Sequence, residues 1–300
     1  MFTLAHLSDI HLAPLPRPRI YELLNKRILG YANWTRRRAR HRRDVLDRLM
    51  TDLMAQTPDH IAMTGDLVNI ALPEEFRAAR MWLEAIGGPE AITVIPGNHD
   101  AYVPFLRNPW VANWMPYMIA NADGQAIANG YGHSFPFLRR FGEIVLIGLS
   151  SARATMPAMA SGRLGKKQIA QTAAWLDALG RQGFCRVVLI HHPPLPGMAD
   201  WQRALHDARI FRDVLAECGA ELVLHGHNHR VMSARLQSRD GPIPIIGAPS
   251  ASVVSDDPEK SAGFNLFTIT KGDNGGWRIS MRSRSFDSQG NVTESVQTLP

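Results

Sequence analysis

The sequence predicts a layered α/β fold, and three observations lead to this prediction. Short apolar runs repeatedly end at polar clusters, amphipathic helical patterns lie between those runs, and the 300-residue chain is 45% hydrophobic. Strands that alternate with helices form layered α/β structures, and this length and composition are enough for one large core. We therefore predict a single domain over residues 1–300.

Five of the apolar runs end in side chains of the kind that bind metals. A short apolar run that stops at Gly, Pro or polar residues is typical of a buried strand. The runs are FTLAHLSDIH at 2–11, HIAMTGDLVN at 60–69, AITVIPGNHD at 91–100, RVVLIHHPP at 186–194 and ELVLHGHNH at 221–229. Because α/β sheets place ligands at the carboxyl ends of their strands, we expect these polar side chains to meet.

Helices are predicted between these strands, and further strands after them. Apolar residues recur at helical spacing over residues 45–54 and 169–179, and Pro73 followed by two glutamates is typical of a helix start. After about residue 231 the pattern changes to short strand-like runs separated by turn-rich sequences such as KGDNGG. We expect residues 231–300 to form antiparallel strands that close a second sheet.

The strand ends supply a set of candidate metal ligands. They are Asp9, His11, Asp66, Asn98, His99, His191, His227 and His229. Carboxylate, amide and imidazole groups together suit borderline divalent ions such as Mn, Fe and Zn, whereas Ca and Mg prefer oxygen ligands alone. Each motif alone is typical of a surface pair, a turn or a loop, but their joint occurrence at strand ends favours a two-metal site.

Spacing and glycines support that interpretation. In extended backbone, the DxH and HxH spacings place both side chains on one side, so that each pair can grip one ion or two adjacent ions. Gly65, Gly97 and Gly226 precede or adjoin the motifs, where they allow a close approach of the backbone or a positive φ.

The order of the motifs SDIH, GDLVN, GNHD, HHPP and GHNH resembles the calcineurin-like metallophosphoesterase superfamily over about residues 1–250. This resemblance implies a four-layer α/β/β/α sandwich of two stacked mixed sheets, with a binuclear metal centre at their edge. It implies two divalent metal ions and hydrolysis of phosphodiester bonds by a metal-activated hydroxide. A catalytically silent scaffold of the same fold is disfavoured, because unused ligands would crowd like charges together.

The resemblance also assigns roles to individual residues. One ion would be held by Asp9, His11 and His229, the other by Asn98, His191 and His227, and Asp66 would bridge them. His191 rather than His192 fits the family pattern of a ligand, one variable residue and then Pro193. His99 would protonate or stabilise the leaving group. For Asp100 two roles stay open, either orienting His99 by accepting a hydrogen bond from its Nδ1 or capping a helix.

Two further segments bear on the substrate. Residues 161–179 are similar to bacterial cyclic-nucleotide phosphodiesterase-like members, which favours a small phosphodiester or nucleotide-containing substrate, with cyclic nucleotides first. The segment 101–132 follows the GNHD motif, and it either caps the site or packs within itself. Its aromatic and methionine residues are Tyr102, Phe105, Trp110, Trp114, Met115, Tyr117 and Met118.

Residues 17–43, RPRIYELLNKRILGYANWTRRRARHRR, form an inserted basic segment. The positions compatible with one face of an amphipathic helix are Ile20, Leu23, Leu24, Arg27, Ile28 and Tyr31. The basic face is either simply solvated or contacts an anionic membrane surface. Nucleic acid is not expected, because no recognition module accompanies the arginines. In character and position the segment is similar to that of family members that cleave UDP-2,3-diacylglucosamine at a membrane, which is the alternative function.

Composition sets the remaining expectations. The net charge of +6 points to anionic substrates or surfaces. Cys185 and Cys218 lack CxxC spacing and are expected to be buried thiols. The N-terminal sequence leaves no room for a signal peptide and no apolar stretch approaches the roughly 18 residues of a spanning helix. We therefore expect a cytoplasmic protein, with peripheral attachment to the inner membrane if the basic segment contacts lipid.

Overall fold

The computed structural model describes residues 1–37, 40–104, 109–128, 135–273, 275–287 and 291–299. Its strands are β1 (Phe2–Leu7), β2 (His60–Met63), β3 (Ile92–Val94), β4 (Phe137–Phe141), β5 (Ile144–Gly148), β6 (Cys185–Leu189), β7 (Leu222–His225), β8 (Met232–Ser238), β9 (Gly241–Gly247), β10 (Gly263–Lys271), β11 (Trp277–Phe286) and β12 (Val292–Thr298). Its helices are α1 (Arg27–Arg37), α2 (Arg43–Ala55), α3 (Pro73–Ile86), α4 (Pro109–Trp114), α5 (Ala122–Ala128), α6 (Lys166–Arg181) and α7 (Ala208–Cys218), with short 3₁₀ helices at Ile20–Leu23 and Met115–Met118.

The strands form two mixed six-stranded sheets, which confirms the predicted α/β fold. The first sheet has the order β12-β11-β10-β1-β2-β3, and the second has the order β4-β5-β6-β7-β9-β8. In the first sheet β1, β2 and β3 run parallel, and in the second β5, β6, β7 and β9 do. Parallel strands joined through helices bring their carboxyl ends to one edge of each sheet.

The layers arise because side chains along each strand point alternately to the two faces of its sheet. In β5, Ile144 and Leu146 belong to the core shared by the two sheets, whereas Val145 and Ile147 pack with the apolar faces of α6 and α7. Successive side chains of a strand point to opposite faces, so a strand that is apolar throughout is covered on both sides. Because α2 and α3 contribute their apolar faces to the same core as the first sheet, the order of layers is α/β/β/α.

The prediction that residues 231–300 close a second sheet is only half right. Strands β8 and β9 do end the second sheet, but β10, β11 and β12 extend the first. Strand β10 pairs antiparallel with β1, with Phe2 opposite Ile269 and His6 opposite Asn265. Without β10, the buried strand β1 would expose unpaired backbone groups along one side. The exposed strand β12 takes the edge position instead.

The inserted segment is not one continuous amphipathic helix. Its 3₁₀ turn at Ile20–Leu23 is separate from α1, and α1 turns Tyr31 and Trp34 toward a small cluster formed by Leu15, Ile70 and Leu72. Arg27, which is buried, donates hydrogen bonds to the carbonyls of Ile70 and Ala71 at 3.0 and 2.5 Å. Of the arginines in this segment, Arg38 lies outside the described residues, as does the side chain of Arg37.

Much of the aromatic segment 101–132 belongs to the core. Trp114 is fully buried and donates its indole N–H to the carbonyl of Phe76 at 3.2 Å, and the Tyr117 hydroxyl donates to Gly87. Tyr102 instead reaches the site described below. Phe105 lies outside the described residues, as does the side chain of Trp110. Both cysteines are buried free thiols, and among the described helices none has the length and apolarity needed to cross a bilayer.

Candidate metal centre

The loops after β1, β2, β3, β6 and β7 bring the predicted ligands together in two overlapping groups. The ligand atoms of the first group, and likewise those of the second, lie within 4.8 Å of one another. The first group is Asp9, His11, Asp66 and His229, and the second is Asp66, His191 and His227. Asp66 belongs to both, which is the position that a bridging carboxylate would occupy.

In the first group the imidazole Nε2 atoms converge on the carboxylates. His229 Nε2 lies 3.1 Å from Asp9 Oδ1 and 3.3 Å from His11 Nε2, which is itself 3.9 Å from Asp66 Oδ2. His11 Nδ1 lies 3.2 Å from the carbonyl of Val68. A carbonyl only accepts, so Nδ1 carries the proton and Nε2 presents its lone pair to the centre.

In the second group the geometry distinguishes His191 from the adjacent His192. His191 Nε2 lies 3.1 Å from Asn98 Oδ1 and 3.4 Å from Asp66 Oδ2, and its Nδ1 is held by the Thr64 carbonyl at 2.6 Å. The prediction of His191 as the ligand therefore agrees with the geometry of the centre, which Asn98 also faces.

His192 is occupied elsewhere. Its Nδ1 contacts the hydroxyl of Ser151 at 2.8 Å and its Nε2 contacts the carbonyl of Ala160 at 3.0 Å. With both ring nitrogens already bonded to the protein, His192 has no lone pair to offer an ion. Its ring packs against that of His227, with centroids 4.3 Å apart.

Charge and burial show that these residues fit divalent cations. Asp9 and Asp66 are buried, and among the described residues His227 Nε2 has no hydrogen-bond partner. Burial alone would raise the pKa of Asp66, but the charge of neighbouring histidines, led by His191, holds this pKa well below its usual value. Buried carboxylates, and a buried imidazole nitrogen without a partner, are costly unless a cation satisfies them. Two ions held by the two groups would do so.

The pKa of His191 also indicates that this position suits a cation. Burial disfavours its charged form, yet the adjacent Asp66 carboxylate and the hydrogen bonds to Asp66 and Thr64 raise its pKa to about 9. In the protein alone, a proton on His191 thus provides the positive charge that Asp66 requires. A bound metal ion would displace that proton and take over its role.

Several of the converging residues have a left-handed backbone conformation. Positive φ values between 43° and 72° occur at Asp9, His11, Asp66, His227 and His229. Such conformations cost non-glycine residues on the order of 1–3 kcal/mol each, and they cluster where the surrounding structure fixes a functional geometry. The extended backbone expected for the DxH and HxH spacings is therefore wrong, because all four residues of these two motifs are left-handed.

The glycines of the motifs allow this convergence. A Cβ at Gly97 would overlap the Asp66 carboxylate, and one at Gly226 would overlap the Ser8 hydroxyl and the Asp9 carboxylate. Gly65 has a φ of +97°. The structure thus confirms both expected uses of glycine, close approach at two positions and a left-handed conformation at the third.

His99 borders the centre on its accessible side. Its backbone amide donates to Asp66 Oδ1 at 2.7 Å, and its Nδ1 is hydrogen-bonded to the Asn69 carbonyl. The ring lies 4.7 Å from that of His11 and stacks on Tyr102 at 5.5 Å, measured between centroids. With Nδ1 fixed by Asn69, Nε2 is the atom that His99 can offer to a substrate.

The prediction that Asp100 orients His99 is wrong, and so is its alternative as a helix cap. The Asp100 carboxylate accepts hydrogen bonds from the backbone amides of Asp66 (2.8 Å), Leu67 (2.9 Å), Val68 (3.2 Å) and Gly97 (2.7 Å). Burial, and then the charge of Asp66, raises its pKa to about 7, which the amide donors oppose. Asp100 is therefore a positioning residue that holds the loop carrying Asp66.

Sequence reasoning missed three further residues beside the centre. The Asn69 carbonyl takes the orienting role assigned to Asp100, and a backbone atom has no sequence signal. Arg203 donates to the carbonyl of His227 at 2.8 Å. His41, hidden in the run of arginines, has its ring centroid 4.5 Å from that of His11.

Two cavities border the centre and share part of their walls. The first, of about 170 Å³, is bounded by residues that include Asn33, Trp34 and Tyr102. The second, of about 250 Å³, includes Asn98, Ala160 and Arg203 in its wall. Three side chains border both cavities, namely Arg40, His99 and His229.

Comparison with known proteins gives consistent matches. The family model described as calcineurin-like phosphoesterase matches residues 2–231. A probable cyclic nucleotide phosphodiesterase of Synechococcus sp. is 28% identical over 241 residues, which are 79% of this chain and 81% of that protein. A glycerophosphodiester phosphodiesterase, GpdQ, of Enterobacter lignolyticus is 28% identical over 193 residues, which are 64% of this chain and 57% of the relative.

Solved structures share the architecture at low sequence identity. A dimetal phosphatase from Danio rerio superposes with a TM-score of 0.65 at 15% identity, covering 100% of this chain and 99% of that one. The purple acid phosphatase PPD1 of yellow lupin superposes with a TM-score of 0.58 at 12% identity, covering 99% of this chain and 53% of that one. At these identities the likeness shows the fold alone.

Proposed function

Since the chain belongs to the calcineurin-like phosphoesterase family and is a metal-dependent phosphoester hydrolase, we propose that it cleaves small phosphodiesters at a binuclear centre. The observation that supports a diester is the pair of cavities bordered by His99 and His229. A diester carries two substituents on its phosphorus, and each cavity would receive one of them. A monoester would leave one of the two substituent positions empty.

The ligand groups described above divide between two ions. One ion would be held by Asp9, His11 and His229, the other by Asn98, His191 and His227, and Asp66 would contact both. When bound, two such ions activate a water as the nucleophile and neutralise the phosphoryl oxygens. The donor set of imidazole, carboxylate and amide suits Mn, Fe or Zn.

His99 would complete the reaction by protonating the leaving group. The Asn69 carbonyl can only accept, so Nδ1 of His99 carries a proton, and a second proton on Nε2 makes the ring a donor toward the cavities. That proton passes to the ester oxygen as its bond to phosphorus breaks, and the alcohol then leaves uncharged. The step matters most for alkyl esters, whose alkoxides are poor leaving groups.

Two arginines would attract the anionic substrate. Arg40 borders both cavities, and Arg203 borders the second, where its hydrogen bond to the carbonyl of His227 fixes its position. A phosphodiester carries one negative charge, and arginine is well suited to binding phosphate oxygens. The overall charge of +6 acts in the same direction.

For the substrate we propose cyclic nucleotides first. The name of the Synechococcus relative and the likeness of residues 161–179 support this choice, and Trp34 and Tyr102 offer aromatic surface to a base. The second candidate is a glycerophosphodiester, which the name of the Enterobacter relative suggests. The first cavity, at about 170 Å³, favours this candidate because ligand pockets usually measure about 300–1,000 Å³.

A comparison of substrates tests the proposal. Enzyme reconstituted with Mn, Fe or Zn is assayed on bis(p-nitrophenyl) phosphate, p-nitrophenyl phosphate, a cyclic nucleotide and a glycerophosphodiester, with metal-free enzyme as the control. We expect the diester to have a higher kcat/KM than the monoester. The reverse order would contradict the diester assignment. Including UDP-2,3-diacylglucosamine tests the alternative function in the same assay.

We further propose that the inserted segment attaches the protein to anionic membrane surfaces, on the cytoplasmic side. The supporting observation is a set of exposed apolar side chains, led by Ile20 at 86% and Leu24 at 79% exposed and continued by Ile28 and Leu29 on α1. Side chains of this kind next to basic residues are typical of interfacial segments.

The charges of the segment refine this proposal. Arg42 and Arg43 form ion pairs with Asp44 and Asp47, and Arg40 borders the catalytic cavities. Among the arginines whose side chains the structure describes, Arg17, Arg19 and Arg36 would therefore carry most of the attraction to lipid.

A further inference from the structure

The inserted segment ends in a strand bridge that fixes the position of His41. His41 forms an antiparallel bridge with Val253. On either side of this bridge, the amide of Arg42 donates to the Ser252 carbonyl at 2.9 Å and the amide of Val254 donates to the Arg40 carbonyl at 3.1 Å. The backbone of His41 is thus held on both sides.

The same short stretch is tied to the first metal-binding loop. The amide of Ala251 donates to the Ser8 carbonyl at 3.0 Å, and the hydroxyl of Ser250 donates to the Asp9 carbonyl at 2.6 Å. Residues 250–254 therefore lie between Ser8–Asp9 and His41 and link them through backbone hydrogen bonds. The position of the His41 backbone relative to the first metal-binding loop is therefore set by this register.

The ring of His41 lies against two of the candidate ligands. Its centroid is 4.5 Å from that of His11 and 5.8 Å from that of His229. One of its ring nitrogens lies within 4.8 Å of the ligand nitrogens of both. The Ser252 hydroxyl contacts Nδ1 at 2.9 Å, which makes Nε2 the nitrogen available to an ion. Metal-binding histidines are usually held in this way by a partner at the other nitrogen.

From these contacts we propose that His41 is an additional metal ligand, which binds through Nε2 the ion held by Asp9, His11 and His229. This inference rests on the metal centre of the proposed function, but not on the identity of the substrate. A histidine that merely belonged to a solvated basic run would have no need of a backbone register or of a partner for Nδ1.

The additional ligand would make the two metal positions chemically different. The first would have three imidazoles, from His11, His41 and His229, whereas the second has two imidazoles and the amide of Asn98. Nitrogen-rich sites favour Fe, Co and Zn, and sites richer in oxygen accept Mn more readily. The first position should therefore select an ion from the later part of the series.

Cobalt titration of the metal-free protein tests the inference without measuring activity. The visible absorption of Co²⁺ depends on its ligands, and the titration also yields the number of ions and their affinities. For the wild type we expect two ions per chain. In His41→Ala we expect one of them to bind at least about tenfold more weakly, with changed absorption. In Ser252→Ala, which keeps the imidazole, the same ion should bind about tenfold more weakly.

Matched controls separate the outcomes. His206→Ala removes an exposed histidine that stacks on Trp201, and it should bind Co²⁺ as the wild type does. If His41→Ala keeps both affinities and the spectrum, the inference is overturned, even if KM changes, because His41 would then contact only substrate. If the wild type itself binds no Co²⁺, the metal centre fails as well. Should His41→Ala not fold, Ser252→Ala provides the same test.

Discussion

The strand-end loops and the inserted segment, residues 17–43, both face the metal centre, but they are held in different ways. The loops are fixed by buried carboxylates that accept backbone amides. Asp100 holds the loop that carries Asp66, and Glu75 accepts the amides of Asn69, Ile70 and Leu72 at 2.6, 3.1 and 2.9 Å. The segment instead exposes apolar side chains to solvent.

By comparison, the described part of the inserted segment is attached to the rest of the protein at a few points. Arg27 donates to the carbonyls of Ile70 and Ala71, Lys26 donates to Thr155 Oγ1 at 2.9 Å, and the bridge at His41 closes its end. The difference indicates a division of work, in which the loops, with His41 as the proposed additional ligand, carry the chemistry and the rest of the segment selects substrate and surface. Changes in the loops should therefore reduce kcat, and changes in the segment should alter affinity.

The largest effect is expected for Asp66→Ala, which removes the carboxylate shared by both ligand groups. We expect loss of detectable activity and weakened binding of both ions, as measured by metal analysis of the purified variant. Asp47→Ala, which removes an exposed carboxylate paired with Arg43, is the control and should keep both ions. Two ions per chain in Asp66→Ala would show that this carboxylate does not bridge them.

His99→Ala should come next, because it affects the leaving group but no ligand. We expect both ions to remain and kcat for an alkyl diester to fall by about 10²–10⁴, the usual loss for a removed acid-base group. For a nitrophenyl ester the loss should be much smaller, since nitrophenolate leaves without a proton. Equal losses on both substrates would assign His99 a different role, such as binding the phosphoryl group.

Asp100→Asn probes how the loops are held. The amide group of Asn would turn a donor toward backbone amides that need an acceptor, so we expect the free energy of unfolding to fall by about 1–3 kcal/mol for each amide left unsatisfied. Activity should fall as well, because the loop carrying Asp66 loosens. Chemical denaturation measures the first effect. Unchanged stability with lost activity would instead place Asp100 in the chemistry itself.

Motif reasoning predicted correctly which side chains the strand ends bring together. DxH, GNHD and GHNH are local patterns, and the strand geometry that brings them together follows from apolar runs. Motif reasoning failed where backbone atoms or long-range strand register determine which residues contact each other. The Asn69 carbonyl orients His99, Asp100 binds amides from a different loop, and β10 joins β1 across most of the chain. None of these pairings leaves a pattern in a single sequence.

A smaller effect is expected when the attachment of the segment is weakened. Arg27→Met removes the hydrogen bonds to the carbonyls of Ile70 and Ala71, and Ile70 borders the first cavity. We expect KM for the preferred diester to rise several-fold, while kcat and the metal content stay as in the wild type. Arg77→Met, which removes an exposed partner of Glu74, is the matched control. A fall in kcat with unchanged KM would contradict the division between loops and segment.

The smallest effect should be on membrane binding, because it depends on exposed groups alone. Vesicle sedimentation at low salt should show partitioning onto anionic vesicles that exceeds partitioning onto neutral ones. The contribution near an acidic membrane is about 1 kcal/mol per basic residue. Added salt should weaken the binding, since exposed charges are screened within about 10 Å at 0.1 M.

Substitution of the apolar residues separates lipid binding from simple solvation of the arginines. Ile20→Gln with Leu24→Gln removes the two most exposed apolar side chains of the segment and should reduce partitioning. Met81→Gln changes a side chain that is 71% exposed on α3, outside the segment, and should have no effect. If the wild type binds neutral and anionic vesicles equally, or neither, the arginines serve only solvation. If it dimerises through this surface instead, sedimentation velocity without lipid would show a dimer that the double variant loses, and the lipid-linked substrate would lose its main support.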